Sequence, residues 1–312
     1  MSLSGLVSLK KKVLCKREAL GNVYPALIGG INVNVWFPAY VERQEEDPMK
    51  RVSFSNPLAP PSLAQKWTRG KEPLSWGHVM AYPSGDSLVE LFALSVEHDI
   101  GNDEIAQTIY NDFTRWEEAF INYCILCTKQ GASRDKNLRR QNVNVELMNE
   151  KGYVGNCSGQ ALYVVIPPRS EYVTKKQIED ALVFASSGNE LFLEYQMLLS
   201  AYDNMHHCRN RQVIMDACSA VELCLTKVIS TFCAAHEIDE MLLLSKYRTL
   251  GERFKLVKRI DTSFNVENTE EAIVTPRNKL AHNQTAFPSD EETDLLLSKV
   301  EECLAFYHKS YY

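Results

Sequence analysis

The chain has 312 residues, of which 45% are hydrophobic and 24% are charged, as in an ordinary globular protein. This length is enough for two domains with a real core in each. The net charge of −6 argues against a broad basic surface for nucleic acid, although a small local basic site is compatible with it.

The first residues and the cysteines predict a cytoplasmic protein. In MSLSGLVSLKKKVLC the lysines follow a weakly apolar stretch, which is the reverse of a secretory signal. No apolar run approaches the ~18 residues that span a bilayer. The nine cysteines are scattered and odd in number, which favours free thiols in a reducing compartment. The lysines at 10–12 are expected to be solvated.

The first half has the pattern of strands around one helix. Apolar residues recur every three or four positions from Ile105 to Cys124, which predicts a helix there. Trp76, beside a glycine, is expected to belong to a binding loop. Strands are predicted for INVNVWF (31–37), HVMAY (78–82), LVELFALSV (88–96), NVNVELM (142–148) and ALYVVI (161–166).

From Thr174 onward the pattern is helical. Thr174 with Gln177 has the spacing of a capping box, as Ser289 does with Glu292, and Ser187-Gly188 is typical of a helix end. The sequence therefore predicts an α+β protein, with a strand-rich mixed domain over residues 1–188 and an all-α helical bundle over residues 189–312. Helices are predicted over about residues 190–205, from Val213 to Phe232, over Leu250–Ile260 and from Ser289 through Tyr307.

Two short motifs invite a metal site, and both have a simpler explanation. Cys124 and Cys127 lack a second pair at zinc spacing and lie on an amphipathic helix, which favours a core position. His206 and His207 are adjacent, so on a helix they diverge by ~100°, and a junction between two helices is the better interpretation. We therefore predict no metal, and no pattern in the chain predicts a cofactor.

The segment TPRNKLAHN (275–283) has the pattern of a helix start. Thr275 followed by Pro276 is typical of an N-cap with proline at the first helical position. Arg277 then falls in the first turn, where the helix dipole disfavours a cation, so an anion is expected nearby. The exposed N–H groups of such a turn would bind phosphate. Taken alone, Arg277 and His282 are a short motif that a polar surface turn explains equally well.

Arg277-Asn278 with His282 resembles the R-x4-6-H motif of the HEPN superfamily (higher eukaryote and prokaryote nucleotide-binding), in particular its ribonucleases of toxin and abortive-infection systems. Two further features carry the resemblance, which covers roughly residues 189–312. The long segment DACSAVELCLTKVI (216–229) has Glu222 where such domains often have an acidic residue, and the motif leads into the last helix.

The resemblance implies a metal-free transesterification, in which the ribose 2′-OH attacks the adjacent phosphate and leaves a cyclic phosphate and a 5′-OH. His282 is then expected to transfer protons and Arg277 to stabilise the charge of the transition state. Asn278 would position a phosphate oxygen or fix the imidazole tautomer. Glu222 and Asn283 are expected to support the site, Glu222 either as a partner of Arg277 or as an ordinary surface glutamate.

Geometry adds the expectation of a homodimer. On a regular helix, five positions rotate through ~500°, which leaves Arg277 and His282 ~140° apart. One copy of the motif therefore does not aim both groups at one phosphate. Either the arginine side chain curls back, or a second chain supplies the missing partner in a composite cleft, and the second solution is the one that the resemblance implies.

The sequence thus predicts a metal-independent endoribonuclease of a toxin or antiviral (abortive-infection) defence system, acting on RNA and away from membranes. The strand-rich half carries no catalytic pattern and is expected to sense or recruit, with a phage component or a regulator as the trigger. The alternative is a non-catalytic HEPN-like binding or scaffold module, which the overall acidity mildly favours.

Overall fold

The structure is a computed structural model that describes residues 3–40, 55–61, 76–81, 87–99, 102–130, 142–149, 152–160, 172–282 and 288–308. An antiparallel sheet occupies the N-terminal half, and the C-terminal half is mostly helical. The predicted α+β class is therefore confirmed.

Within these ranges the main sheet is antiparallel and has six strands. The long central strand β6 pairs with β1 along one edge and with β3 and β5 along the other, and β2 and β4 lie outermost. The hairpin β7–β8 forms a separate sheet. The strands are β1 (Leu3–Lys16), β2 (Val23–Ile28), β3 (Ile31–Trp36), β4 (Ser55–Pro57), β5 (Gly77–Ala81), β6 (Ser87–His98), β7 (Asn142–Asn149) and β8 (Gly152–Gln160).

Four of the predicted strands are confirmed as β3, β5, β6 and β7, whereas ALYVVI lies outside the described residues. The sequence pattern missed β1, because this strand is bulged. Ser8 pairs with Ala93 and Val13 with Leu91, so β1 advances five residues (8 to 13) while β6 advances two (93 to 91). The bulge interrupts the alternation of apolar and polar side chains by which a strand is recognised.

The same bulge buries a lysine. Lys12 Nζ lies 3.1 Å from Glu90 Oε1 of β6, and both side chains are less than a tenth exposed. The expectation that the lysines at 10–12 are solvated is therefore wrong for Lys12, although Lys10 and Lys11 are exposed. A buried charge needs an opposite charge close by, and Glu90 supplies it.

The helices agree more closely with the sequence pattern. Thr174 and Gln177 form the predicted capping box, Gly188 has the left-handed φ of +69° that follows a helix end, and Ser289 accepts the Glu292 N–H at 3.1 Å. No helix among the described residues is long and apolar enough to cross a membrane. The helices are α1 (Asp103–Thr128), α2 (Lys175–Ser186), α3 (Leu193–His206), α4 (Asn210–Ala235), α5 (Glu240–Lys246), α6 (Leu250–Ile260), α7 (Thr275–Ala281) and α8 (Asp290–Tyr307).

The buried apolar residues form one cluster, which runs from Leu9 in β1 to Leu304 in α8. It includes the apolar face of α1, where Trp116, Phe120 and Cys124 are all nearly fully buried. Burying a large side chain of this kind stabilises the fold by roughly 1.5–3 kcal/mol. The cluster therefore continues across position 188, where the sequence predicts the domain boundary.

A polar junction reinforces this apolar core at the end of α1. Lys129 follows the helix in the left-handed region, with φ +54°, and its ammonium group pairs with Glu301 of α8. Tyr202 of α3 donates to Glu301 at 2.9 Å, and His206 Nε2 is hydrogen-bonded to the Lys129 carbonyl at 2.8 Å. The residue that follows α1 is thus bonded to two helices of the C-terminal half.

Candidate active site

The motif helix α7 does not begin at Thr275. It continues directly from a π-helical turn, Glu270–Val274, so that Thr275 already has helical angles (φ −64°, ψ −49°). The Thr275 N–H donates to the carbonyl of Glu270, five residues earlier. The predicted N-cap at Thr275 is therefore wrong, and so is the phosphate-binding helix start at this point.

Pro276 gives a physical reason for the difference. Proline has no N–H to donate, and its ring presses on the carbonyl four residues earlier, here that of Ala272. A π-helical turn just before the proline accommodates both effects, because it lengthens the hydrogen-bonded loop by one residue. Thr-Pro therefore marks a change of helix type here, although the same dipeptide is also common at helix starts.

The helix α7 buries one narrow face. Pro276 and Leu280, four residues apart, are buried, whereas Arg277 is half-buried at the flank and Asn278 is exposed. On the other flank, Lys279 Nζ lies 3.8 Å from Glu292 Oε1 of α8. The helix thus packs on α4, its contact with α8 is the Lys279–Glu292 pair, and its other polar residues lie along the rim.

Arg277 lies beside the long helix α4. Burial raises the pKa of the Cys218 thiol on α4 to about 12, and the positive charge of Arg277 opposes that rise. The thiol also approaches the carbonyl of Ile273, at 3.9 Å. Within the described part of the chain, Arg277 makes no side-chain hydrogen bond and no ion pair. Its guanidinium is therefore available to an anion.

Glu222 pairs with a different arginine. Its Oε1 lies 2.8 Å from Arg253 of α6, which also donates to Thr226 Oγ1 at 2.8 Å and to the Tyr247 carbonyl at 3.3 Å. Glu222 and Arg277 both act on the pKa of Cys218, which Glu222 raises and Arg277 lowers. The structure thus gives Glu222 a role that neither sequence interpretation proposed, which is to fasten α6 to α4.

His282 is the residue that ends α7. Its backbone N–H donates to the Asn278 carbonyl at 3.0 Å, its angles have left the helix (φ −95°, ψ 13°), and its side chain is exposed. On a regular helix the side chains at positions 277 and 282 would point ~140° apart. Asn283 lies outside the described residues.

Sequence reasoning missed two basic residues near this site. Lys279 is two positions from Arg277, and its charge was a visible signal. Arg253 is remote in sequence and becomes relevant only because α6 packs against α4, so no pattern in the motif could have identified it.

Of the other predicted sites, the cysteine and histidine motifs lie where we expected them, and Trp76 does not. Cys124 is buried in α1, and His206 and His207 lie at the turn between α3 and α4, as predicted. Among the described residues, no group of three histidine, cysteine or acidic side chains is arranged to hold a metal ion. The exception is Trp76, which is buried in the core and not in an open binding loop.

Comparison with known proteins finds no matching protein family, no matching curated protein and no matching solved structure.

Proposed function

We propose that the chain is a metal-independent endoribonuclease whose site is formed by Arg277 and His282. The observation that carries the proposal is the state of Arg277. Its guanidinium is half-buried against α4, has no bonded partner within the described residues, and lies on the same short helix as an exposed histidine. An arginine without a carboxylate partner is a typical phosphate ligand.

In the proposed reaction, His282 accepts the proton of the ribose 2′-OH as that oxygen attacks the adjacent phosphate. The imidazole or its counterpart from the second chain then protonates the leaving 5′ oxygen. Arg277 stabilises the additional negative charge on the phosphate oxygens. The exposed amide of Asn278 is one turn before His282 and would orient a phosphate oxygen.

The divergence of the two side chains supports a composite site. Since Arg277 and His282 leave one helix ~140° apart, a phosphate bound to the arginine of one chain takes its histidine most readily from a second chain. We therefore propose a homodimer that brings two α7 helices together. In the setting that the HEPN resemblance suggests, a toxin or an antiviral defence system, the sheet-containing half would respond to a trigger.

A non-catalytic scaffold is the second candidate, and the net charge of −6 favours it. A protein that binds RNA mainly through its phosphates would carry a more basic surface. In this case Arg277 and His282 would be ordinary residues of a polar surface turn.

One assay separates the two candidates: cleavage of labelled single-stranded and hairpin RNA in EDTA by wild type and by His282→Ala. We expect cleavage by the wild type, with cyclic-phosphate and 5′-OH ends, and a loss of about 10²–10⁴-fold in His282→Ala. His236→Ala is the matched control, since His236 is also an exposed histidine that ends a helix. Equal cleavage by all three proteins, or by none of them, would favour the scaffold.

A further inference from the structure

A cavity of about 550 Å³ lies where the two halves of the molecule meet. One wall is formed by α1 with Lys11 of β1, and the other by α3 and the segment that precedes it. The volume is in the range of sites that hold small molecules. Its apolar lining consists of Ala119, Ile125, Leu191 and Leu199.

Several polar groups of this cleft are already satisfied. Arg115 donates to the Gly188 carbonyl at 2.8 Å and lies 3.3 Å from Glu190. Ser200 donates to Asp216 at 2.7 Å, and the amide of Gln130 is bonded to the backbone of Leu14. These groups shape the cleft, and the arginine adds no uncompensated charge to it.

Four other groups have capacity left. The side chains of Lys11, Glu118 and Asn122 make no hydrogen bond or ion pair within the ranges that the structure describes. Within the same ranges, the carboxylate of Asp203 has one ion-pair contact, with His207 Nδ1 at 3.7 Å, and it is half exposed. The cleft thus presents one ammonium group and two carboxylates to whatever enters it.

We propose that this cleft binds arginine or lysine, either as the free amino acid or as a residue of a peptide. The basic end of the ligand would lie between Glu118 and Asp203, and its carboxylate or carbonyl would accept from Lys11. The methylene groups would cover Ala119 and Leu199, as the stems of long basic side chains do on apolar surfaces. The side-chain amide of Asn122 offers both a donor and an acceptor to the end of the ligand that carries its α-amino and carboxylate or peptide groups.

The balance of charge decides against an anionic ligand. A nucleotide would bring phosphate charge toward Glu118, Asp203 and Glu190 with only Lys11 uncompensated in its favour. Two carboxylates that face a phosphate repel it, whereas they attract an amino or guanidinium group. The cleft is therefore distinct in its chemistry from the proposed RNA site, and the inference does not depend on ribonuclease activity.

Isothermal titration of the full chain tests the proposal with three probes: L-arginine, agmatine, which lacks the carboxylate, and the peptide Gly-Arg-Gly. We expect saturable binding of L-arginine or of the peptide at concentrations up to about 10 mM, and weaker binding of agmatine. Tighter binding of the peptide would identify a protein as the source of the ligand, and tighter binding of L-arginine a free metabolite. Absence of saturable binding by all three probes overturns the proposal.

Exposed positions allow variants that keep the fold. Glu118→Gln and Asp203→Asn should each weaken binding about three-fold or more, as loss of a charge-assisted hydrogen bond does. Lys11→Ala should weaken binding of L-arginine and leave agmatine unaffected, because agmatine has no carboxylate for the ammonium group. Glu179→Gln on α2, outside the cleft, is the matched control. The same weakening in Glu179→Gln, or none in the cleft variants, contradicts the assignment.

Discussion

Two places in the helical half set a histidine near a basic residue, and they treat these groups in opposite ways. In the Glu194 cluster, formed by Glu194, Lys227 and His308, a fully buried carboxylate is 2.6 and 2.9 Å from the lysine and 2.9 Å from the histidine. On α7, the side chains of Arg277 and His282 have no hydrogen bond or ion pair within the described residues.

The contrast distinguishes charges that hold the fold from charges that can act on a ligand. Glu194 lies on α3, Lys227 on α4 and His308 at the end of α8, so that a single carboxylate connects three helices. A buried carboxylate requires such compensation, and here the lysine and the histidine both bond to it. Within the described residues, the side chains of Arg277 and His282 bond to no other element, which makes them the better candidates for chemistry.

The largest effect is expected for Arg277→Ala. Loss of the guanidinium should lower RNA cleavage about 10³-fold, because it removes the main stabilisation of the transition-state charge. The thermal midpoint should stay within about 2 °C, since no described partner is lost. Lys279→Ala, an exposed cation two residues along the same helix, is the control for cleavage assays and calorimetry. Equal losses of activity in both variants would argue for a general charge effect.

Mixing two inactive variants should restore activity if the site is composite. Refolding Arg277→Ala chains with His282→Ala chains should recover about a quarter of wild-type cleavage, because half the dimers are mixed and each has one intact site. Co-refolding either variant with itself is the control. If the mixture stays as inactive as its components, the site lies within one chain.

In the Glu194 cluster, a substitution should affect stability and leave the chemistry unchanged. Glu194→Gln should lower the free energy of unfolding by about 2–3 kcal/mol, toward the lower end for buried pairs because Lys227 is half exposed. Urea denaturation measures the change, with Glu179→Gln as the control. Cleavage per folded molecule should remain at the wild-type value, and its loss would show that this cluster also acts on RNA.

Glu222→Gln is expected to have the smallest effect. The Glu222–Arg253 pair is partly exposed, so its loss should lower the free energy of unfolding by about 0.5–1 kcal/mol. Cleavage should be unchanged, because the bonded partner of Glu222 is Arg253 and not Arg277. A drop in cleavage without a drop in stability would instead make Glu222 the partner of Arg277 in the active form.

The helices were largely predictable because their signals are local. The residues Leu250–Ile260 form a helix with the predicted bounds, since Thr249 and Glu252 cap its start and an apolar face repeats through it. The capping box of Thr174 was visible for the same reason. The candidate pair Arg277 and His282 was also visible in sequence, but the charges that surround it depend on how α4, α6 and α8 pack.

Two features could not be predicted from local pattern. The bulge in β1 places Lys12 in the core, and only the partner strand, which carries Glu90, makes that position tolerable. The dipeptide Thr275-Pro276 fits either a helix start or a position just after a π-helical turn. It takes the second position here because residues 270–274 are already helical. In the first case a contact between residues distant in the chain overrides the local rule. In the second case the helix that precedes Thr275 overrides it.

The junction at Lys129 and the motif helix share one neighbour, the helix α8. Lys129, which follows α1, pairs with Glu301 of α8, and its carbonyl is hydrogen-bonded to His206 of α3. Glu292, near the start of α8, lies 3.8 Å from Lys279 of α7, so α8 contacts both the end of α1 and the helix that carries the motif.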